Sequence, residues 1–521
     1  MHRFSLNVMA PLHIGSYEPG NLVRLGERNY ISHIYRKKED LDYFKNEIEK
    51  AANLHVDAVS VDIWWGMVKS RNHSYLRADW NYYEDIFKTI QFVSNNLGNG
   101  RTLKVVPIFS FHQCGGNVGD NFYMPIPLWV WDHVRDVAQE DLGIKLDILD
   151  VAYLNNSEIP SLEYVSLWAD PYVKGLYAEF MEEFKQFISD INFLPSDIQE
   201  LNISLGPSGE MRFPSYNTHD WGKYPFHGPM QCFGRLAERS WKNYCSEEGL
   251  TYNNTIDELA GNPNLFKKRL YMYDKRYHHL LKWYSKSLYE HGITILSQAS
   301  ECFNDANWKT IPIGFKIPGI HWRLDATDDS DRNKDYLESK YYIGDFVSHK
   351  ADCTEPRKTN CEEMYPRIPE ITAGLISSDL YDDPNAPNVS DDFYKLKLEE
   401  FFDVLPNRNG GYVFHFTCLE KQDSNDDESH SIAQTLVDLV NRIVDDYSKR
   451  SNANKEKIAL KGENALALTE KNAPILVNNI RTKKAFSGIT ILRISDFIRE
   501  ISKEYIKDSL ERAIRDRENE Q

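Results

Sequence analysis

The sequence predicts an α/β protein built as one (β/α)8 barrel, a TIM barrel whose long loops form a lobe over its C-terminal face. Eight short runs rich in Val, Ile, Leu and Phe alternate with longer helical patterns, as a fully covered parallel sheet requires. Polar residues gather at the C-terminal ends of those runs, where a barrel forms its active site. No glycine-rich dinucleotide loop supports the alternative, a doubly wound open sheet.

The predicted strands are Phe4 to Pro11, Ala58 to Trp64, Leu103 to Phe111, Leu201 to Leu205, Ile313 to Ile320, Tyr412 to Thr417, Ile458 to Lys461 and Ile489 to Ile494. Helices are predicted over Asp40 to Asn53, Trp80 to Asn96, Pro171 to Ile191, Met230 to Glu248, Lys275 to His291, Ser431 to Tyr447 and Ser495 to Arg515. In the third of these, Tyr172, Leu176, Ala178, Phe180, Phe184 and Phe187 recur at the three-to-four spacing of an amphipathic helix. Excursions after the third, fourth and fifth strands (112 to 168, 206 to 275 and 321 to 410) are long enough to wall a pocket. The stretch 325 to 366 is polar, and the charged tail 513 to 521 is expected to fray. No repeat or Ser/Thr/Pro linker divides the chain, so residues 1 to 521 read as a single domain.

A formal net charge of -17 repels phosphates on average, so neither nucleic acid nor an anionic membrane is an expected partner. No apolar run reaches the ~18 residues of a membrane span. Seven Cys are scattered without a C-x-x-C, which indicates neither a disulfide framework nor a zinc knuckle and fits a reducing compartment. The N-terminus, MHRFSLNVMAPLHIG, lacks the apolar core and small-residue cleavage site of a leader. The expectation is a soluble, cytoplasmic monomer; the triplets at Asn72, Asn155, Asn202, Asn253 and Asn388 keep secretion open.

Asp62, His112, Glu210, Lys316, Thr417, Glu463 and Arg493 each fall in or just beyond a predicted strand, toward its C-terminal end. In a barrel they converge on one face. ISLGPSGEMRFPSY (203 to 216) sets Glu210 in a Gly/Pro-rich turn after an apolar run, and KGENAL (461 to 466) sets Glu463 and Asn464 after another. Two carboxylates so presented suggest a glycosidase pair.

These two segments resemble the general-acid and general-base motifs of the beta-amylases, glycoside hydrolase family 14. VDIWWG (61 to 66), FHQCGGNVGD (111 to 120), KIPGIHW (316 to 322), FTCLE (416 to 420) and LRISD (492 to 496) are similar to further segments of the family in the same order. The resemblance implies inverting exo-hydrolysis of alpha-1,4-glucans (starch, glycogen, maltooligosaccharides) that releases beta-maltose from non-reducing ends, with no cofactor and no metal. Glu210 is then the general acid and Glu463 the general base, roughly 6.5 to 9.5 Å apart so that water fits between them. Such an acid needs its pKa raised by burial or a neighbouring negative charge, and Lys316 or Arg493 would favour the ionised base.

By the same resemblance Asp62 and His112 bind the sugar at the non-reducing end, and Asp120 reaches it when a lid built on Gly115, Gly116 and Gly119 closes. Lys316 and His321 hold the sugar beyond the cleaved bond, with Trp322 stacking or packing nearby. Thr417 belongs to an inner loop that moves so that its hydroxyl supports the base through the attacking water. Asn464, Ala465 and Leu466 line the cleavage point, and Arg493 donates to sugar hydroxyls or to the base. Glu420 reads as structural. The chain departs from plant relatives at Asn202, where an acidic residue is common, and at Arg323, where an aromatic or Gln is more usual. The polar stretch 325 to 366 is longer than the corresponding segment of the family, so it reads as an insertion. Two competing readings are a non-catalytic glucan-binding or regulatory barrel, and a retaining glycosidase with carboxylates only about 5 to 5.5 Å apart.

Overall fold

The computed structural model describes residues 4–25, 28–69, 78–98, 100–116, 119–216, 227–251, 253–267, 270–272, 274–323, 367–377, 389–424, 429–450, 458–464, 466–501 and 503–520. Eight strands close into a barrel: β1 (Ser5–Met9), β2 (Ala58–Trp64), β3 (Lys104–Ser110), β4 (Leu201–Ile203), β5 (Ile313–Ile317), β6 (Tyr412–Phe416), β7 (Ile458–Glu463) and β8 (Phe486–Ile491). Each pairs in parallel with its neighbours in the chain, and β8 closes on β1 with Ser5 opposite Gly488. The predicted class is the observed one.

Alternation within the strands separates two kinds of surface. In β2, Val59, Val61 and Ile63 join the main apolar core, while Ser60, Asp62 and Trp64 line the barrel's central cavity. Phe109 of β3 meets Phe184 edge-on at 5.0 Å, and Phe315 of β5 stacks on Phe414 of β6 at 5.6 Å, so the strand–helix layer is strongly aromatic. The floor of the barrel is ionic instead. Glu200 pairs with His415 and accepts from Lys461 Nζ at 2.9 Å, and Gln199 accepts from Lys461 at 3.1 Å and from Asn7 at 2.7 Å. Burial opposes the Glu200 charge, but His415 and Lys461 outweigh it and hold that carboxyl down at about 2.

The helices are α1 (Lys38–Asn53), α2 (Asn81–Asn95), α3 (Leu128–Leu142), α4 (Asp170–Asp190), α5 (Arg235–Glu247), α6 (Lys275–Cys302), α7 (Val389–Val404), α8 (Ala433–Ser448), α9 (Ala473–Thr482), α10 (Ile494–Ile501) and α11 (Glu504–Glu520), with shorter turns between. Three of them, α3, α7 and α9, lie where the sequence reading has loops or nothing. Gly292 does not stop α6, which runs eleven residues past His291 because Ile295, Leu296 and Ala299 continue its buried face. The single helix expected over Ser495 to Arg515 is two.

The tail differs from its expectation. α11 continues to Glu520, Ala513 is buried, and Arg517 inserts its guanidinium to donate to the Lys484 carbonyl at 2.8 Å and the Phe486 carbonyl at 2.7 Å. Charge suggested a solvated end, but here a cation satisfies open carbonyls at the entry to β8. The stretch 325 to 366 lies outside the described residues.

Candidate active site

At the C-terminal rim of the barrel lies a cavity of about 560 Å³. Asp62, His112, Asp120, Glu210, Lys316, His321, Trp322, Thr417, Glu463, Leu466 and Arg493 all line it, so residues spread over more than four hundred positions become neighbours. Ala465 lies outside the described residues.

Glu210 follows β4 in a tight turn in which Gly209 N–H donates to the Gly206 carbonyl at 3.0 Å. Its backbone pairs with Lys316 as a parallel strand would, and Met211 N–H donates to the Lys316 carbonyl at 2.8 Å, which ties the turn to the end of β5. Glu210 Oε2 accepts from Arg212 Nε at 2.9 Å and from the Tyr216 hydroxyl at 3.0 Å. Arg212 also lies over the Tyr216 ring, 4.0 Å from its centroid, and Tyr216 meets Trp322 edge-on at 5.1 Å. Burial raises the Tyr216 phenol well above its ordinary range, so it stays a neutral donor. The groups bonded to Glu210 are thus a guanidinium and a phenol.

Glu463 ends β7, and its Oε1 accepts from Lys316 Nζ at 2.6 Å. Burial works against the Lys316 ammonium, but Glu463, Glu210 and Asp62 outweigh it and hold it above its ordinary value. Lys316 is the hub on which three carboxylates act. Asp62 accepts from Ser110 Oγ at 3.1 Å and lies 4.0 Å from Arg493 Nη1. Burial pushes the Asp62 carboxyl up, and Arg493 and Lys316 only partly offset it.

His112 Nδ1 is 2.8 Å from Ser204 Oγ, and its ring meets Trp64 edge-on at 5.3 Å. Burial drives its imidazole down to about 3, with the cations of Lys316 and Arg212 acting the same way, so it is neutral at ordinary pH. Gly115, Gly116 and Gly119 all have positive φ, the conformation expected of the glycine-rich stretch; residues 117–118 are not described. Cys114 borders the cavity, but burial first, then Asp120 and Asp62, push its thiol well up.

Beyond β5, His321 Nδ1 is 3.0 Å from Ser431 Oγ. Arg323 is not among the residues that line the cavity, and its Nε donates to the His430 carbonyl at 3.1 Å. The Thr417 hydroxyl accepts from the Gly319 N–H at 2.8 Å, and Cys418 beside it sits in the left-handed region, with φ 71°. Glu420 accepts from the Leu466 N–H at 2.6 Å and so joins the loops after β6 and β7.

Asn464 departs from its expected place among the cavity-lining residues. It is fully buried: its Nδ2 donates to the Leu466 and Leu492 carbonyls at 2.7 and 3.0 Å, and its Oδ1 accepts from Leu492 N–H at 2.9 Å. It shapes the chain after Glu463, with its polar atoms committed to backbone. Arg212, Tyr216 and Ser204 belong to the site and were not singled out from the sequence. Arg212 and Tyr216 stand two and six positions after Glu210, and an Arg so close to a turn carboxylate was the available signal. Among the described residues, no group of three or more His, Cys, Asp or Glu side chains is arranged to hold a metal ion.

Residues 39–350, more than half of the chain, match the model for Glycosyl hydrolase family 14. A beta-amylase of Medicago sativa is 28% identical over 483 residues, 88% of this chain and 79% of that protein. A thermophilic beta-amylase of Thermoanaerobacterium thermosulfurigenes is 29% identical over 482 residues, 89% of this chain and 69% of that protein. The crystal structure of the catalytic domain of beta-amylase from Paenibacillus polymyxa superimposes with a TM-score of 0.65 at 23% identity, covering 98% of this chain and 99% of the other, a likeness of fold. On the extent of the family match, the chain is a member of glycosyl hydrolase family 14 and a glycoside hydrolase.

Proposed function

We propose that this enzyme hydrolyses alpha-1,4-glucans by inversion, releasing beta-maltose from non-reducing ends, with Glu210 as general acid and Glu463 as general base. The observation that carries the reading is the convergence of the two glutamates on Lys316 at one end of the cavity. In this mechanism Glu463 activates a water molecule for attack at the anomeric carbon. Glu210 hands its proton to the departing sugar oxygen. Lys316 is the counter-ion of the ionised base. A protonated Glu210 can keep both hydrogen bonds at Oε2 and carry its proton on Oε1.

Asp62, the neutral His112 and Arg493 would grip the non-reducing sugar, joined by Asp120 when the glycine-rich loop closes. Lys316, His321, Trp322 and Leu466 would hold the sugar past the scissile bond. On this reading the movement that brings the Thr417 hydroxyl to the base breaks its contact with the Gly319 amide, and the left-handed Cys418 beside it is held at a cost of order 1–3 kcal/mol. Asn464 acts through the backbone that follows Glu463.

The test is an NMR time course on maltopentaose that follows the anomeric protons of the released sugar. Beta-maltose appearing first is expected; alpha-maltose appearing first would mean retention and overturn the assignment of Glu463 as base.

A further inference from the structure

The turn that carries Glu210 is held from outside the barrel by one helix. His291 of α6 is buried, and both of its ring nitrogens are engaged: Nε2 lies 3.1 Å from the Leu205 carbonyl, and Nδ1 lies 2.7 Å from Asp170 Oδ2 at the start of α4. A carbonyl only accepts, so Nε2 carries a proton and donates to Leu205. Nδ1 faces a carboxylate oxygen, so that contact holds a second proton, and the His291–Asp170 pair is neutral as a whole. One residue earlier in the strand exit, the Tyr164 hydroxyl donates to the Ser204 carbonyl at 3.2 Å.

The next residue of α6 grips the other side of the turn. A Cβ at Gly292 would lie 2.5 Å from Met211 Sδ, so α6 packs directly against the side chain of the residue that follows Glu210. Two consecutive residues of α6 therefore meet the residues on either side of the turn from Gly206 to Glu210, His291 through a hydrogen bond to the Leu205 carbonyl and Gly292 by packing on the Met211 side chain. His291 itself does not line the cavity.

We propose that His291 is a positioning residue for the general acid: its Nε2–H fixes the Leu205 carbonyl and with it the orientation of the turn that presents Glu210. This rests on the reading of Glu210 as the acid. The leverage is large, because misplacing a catalytic group by about 1 Å can cost about 100-fold in rate.

His291→Asn removes the donor at Nε2, whereas His291→Gln returns an amide N–H to nearly the same point. On maltopentaose, kcat of His291→Asn is expected to fall about 10- to 100-fold with KM within about twofold of wild type. His291→Gln should recover most of that loss. On alpha-maltosyl fluoride, whose fluoride departs with far less help from an acid than a sugar hydroxyl does, His291→Asn should lose little. Equal losses on the two substrates, or a wild-type kcat on maltopentaose, would overturn the proposal. Should His291→Asn fail to fold, Tyr164→Phe removes the neighbouring donor to Ser204 and must show the same split between substrates. Failure of the underlying reading looks different: glucan turnover would survive in Glu210→Gln, whatever the His291 variants do.

Discussion

Glu210 and Glu463 are both glutamates at the rim of one barrel, yet their surroundings assign them different work. Glu463 faces an ammonium at 2.6 Å, while Glu210 is steadied at one oxygen by Arg212 and Tyr216. Under the proposed mechanism, Glu210→Gln and Glu463→Gln should each lower kcat by about 10³-fold or more, the size of a lost acid or base, with circular dichroism and melting temperature close to wild type. Retention of a tenth of the activity in either variant would remove that residue from its role. Both carboxylates were legible in the sequence because each sits in a short motif at the end of an apolar run. Arg212, Tyr216 and Ser204 were not, because a spacing along the chain does not tell which way a side chain turns. Asn464 shows the reverse: its motif was legible, but its side chain serves the backbone.

At the scale of the elements, the strands were the easier part to read. Burial on both faces leaves a run of branched and aromatic residues that resembles nothing else, and β2 is found within its predicted bounds. β4 and β5 end sooner than expected: Ser204 and Leu205 turn into the acid loop, and Pro318 and Gly319 turn β5 away. α3 was missed although Pro127 precedes it and Gly143, with φ 63°, caps it, because its aromatic run LWVW does not show a polar face. Only the end of the last helix, 513 to 520, departs from its expectation, which rests on charge alone. Arg517 is 2% exposed and answers two backbone carbonyls next to β8. Arg517→Ala should therefore cost about 2 kcal/mol in urea unfolding, since it removes two charge-assisted hydrogen bonds and leaves the buried Phe486 carbonyl without this donor. It should leave kcat per folded molecule unchanged, because the anchor lies at the entry of β8 and the cavity at its exit. A loss under about 0.5 kcal/mol would return the tail to the status of a frayed end.

For the whole molecule, the same burial that makes the site also sets how the fold responds to acid. Barrel class and the convergence of polar strand ends were readable from alternation, but the ionic floor was not, since Glu200, His415 and Lys461 lie far apart in sequence and only closure of the sheet joins them. Burial lowers His112 to about 3 and His227 to about 4, both from an ordinary 6.5. The unfolded chain binds these protons more readily than the folded one, so their contribution is fully present above pH 6.5 and is lost as pH falls toward 4 and 3. Glu200, held at about 2 by His415 and Lys461 against burial, contributes above its ordinary 4.5 and loses that contribution as pH falls toward 2. All three push the same way, and each shift corresponds to roughly 3 kcal/mol or more. Asp62 and Asp170, whose carboxyls burial raises, work against them, as does protonation of surface carboxylates, which reduces the charge of -17; the surface charges are screened beyond about 8 Å at physiological salt, and the three depressed groups carry the larger shifts, so they dominate. The urea midpoint should therefore be flat above pH 7, decline between 6.5 and 4, and fall further below 4.5. His227→Asn keeps a donor near the Gly228 carbonyl, which His227 Nδ1 now meets at 2.8 Å, and removes one titrating ring. It should make the decline between 6.5 and 4 shallower, and a midpoint that rises on acidification through that window would contradict the burial of these histidines as neutral rings.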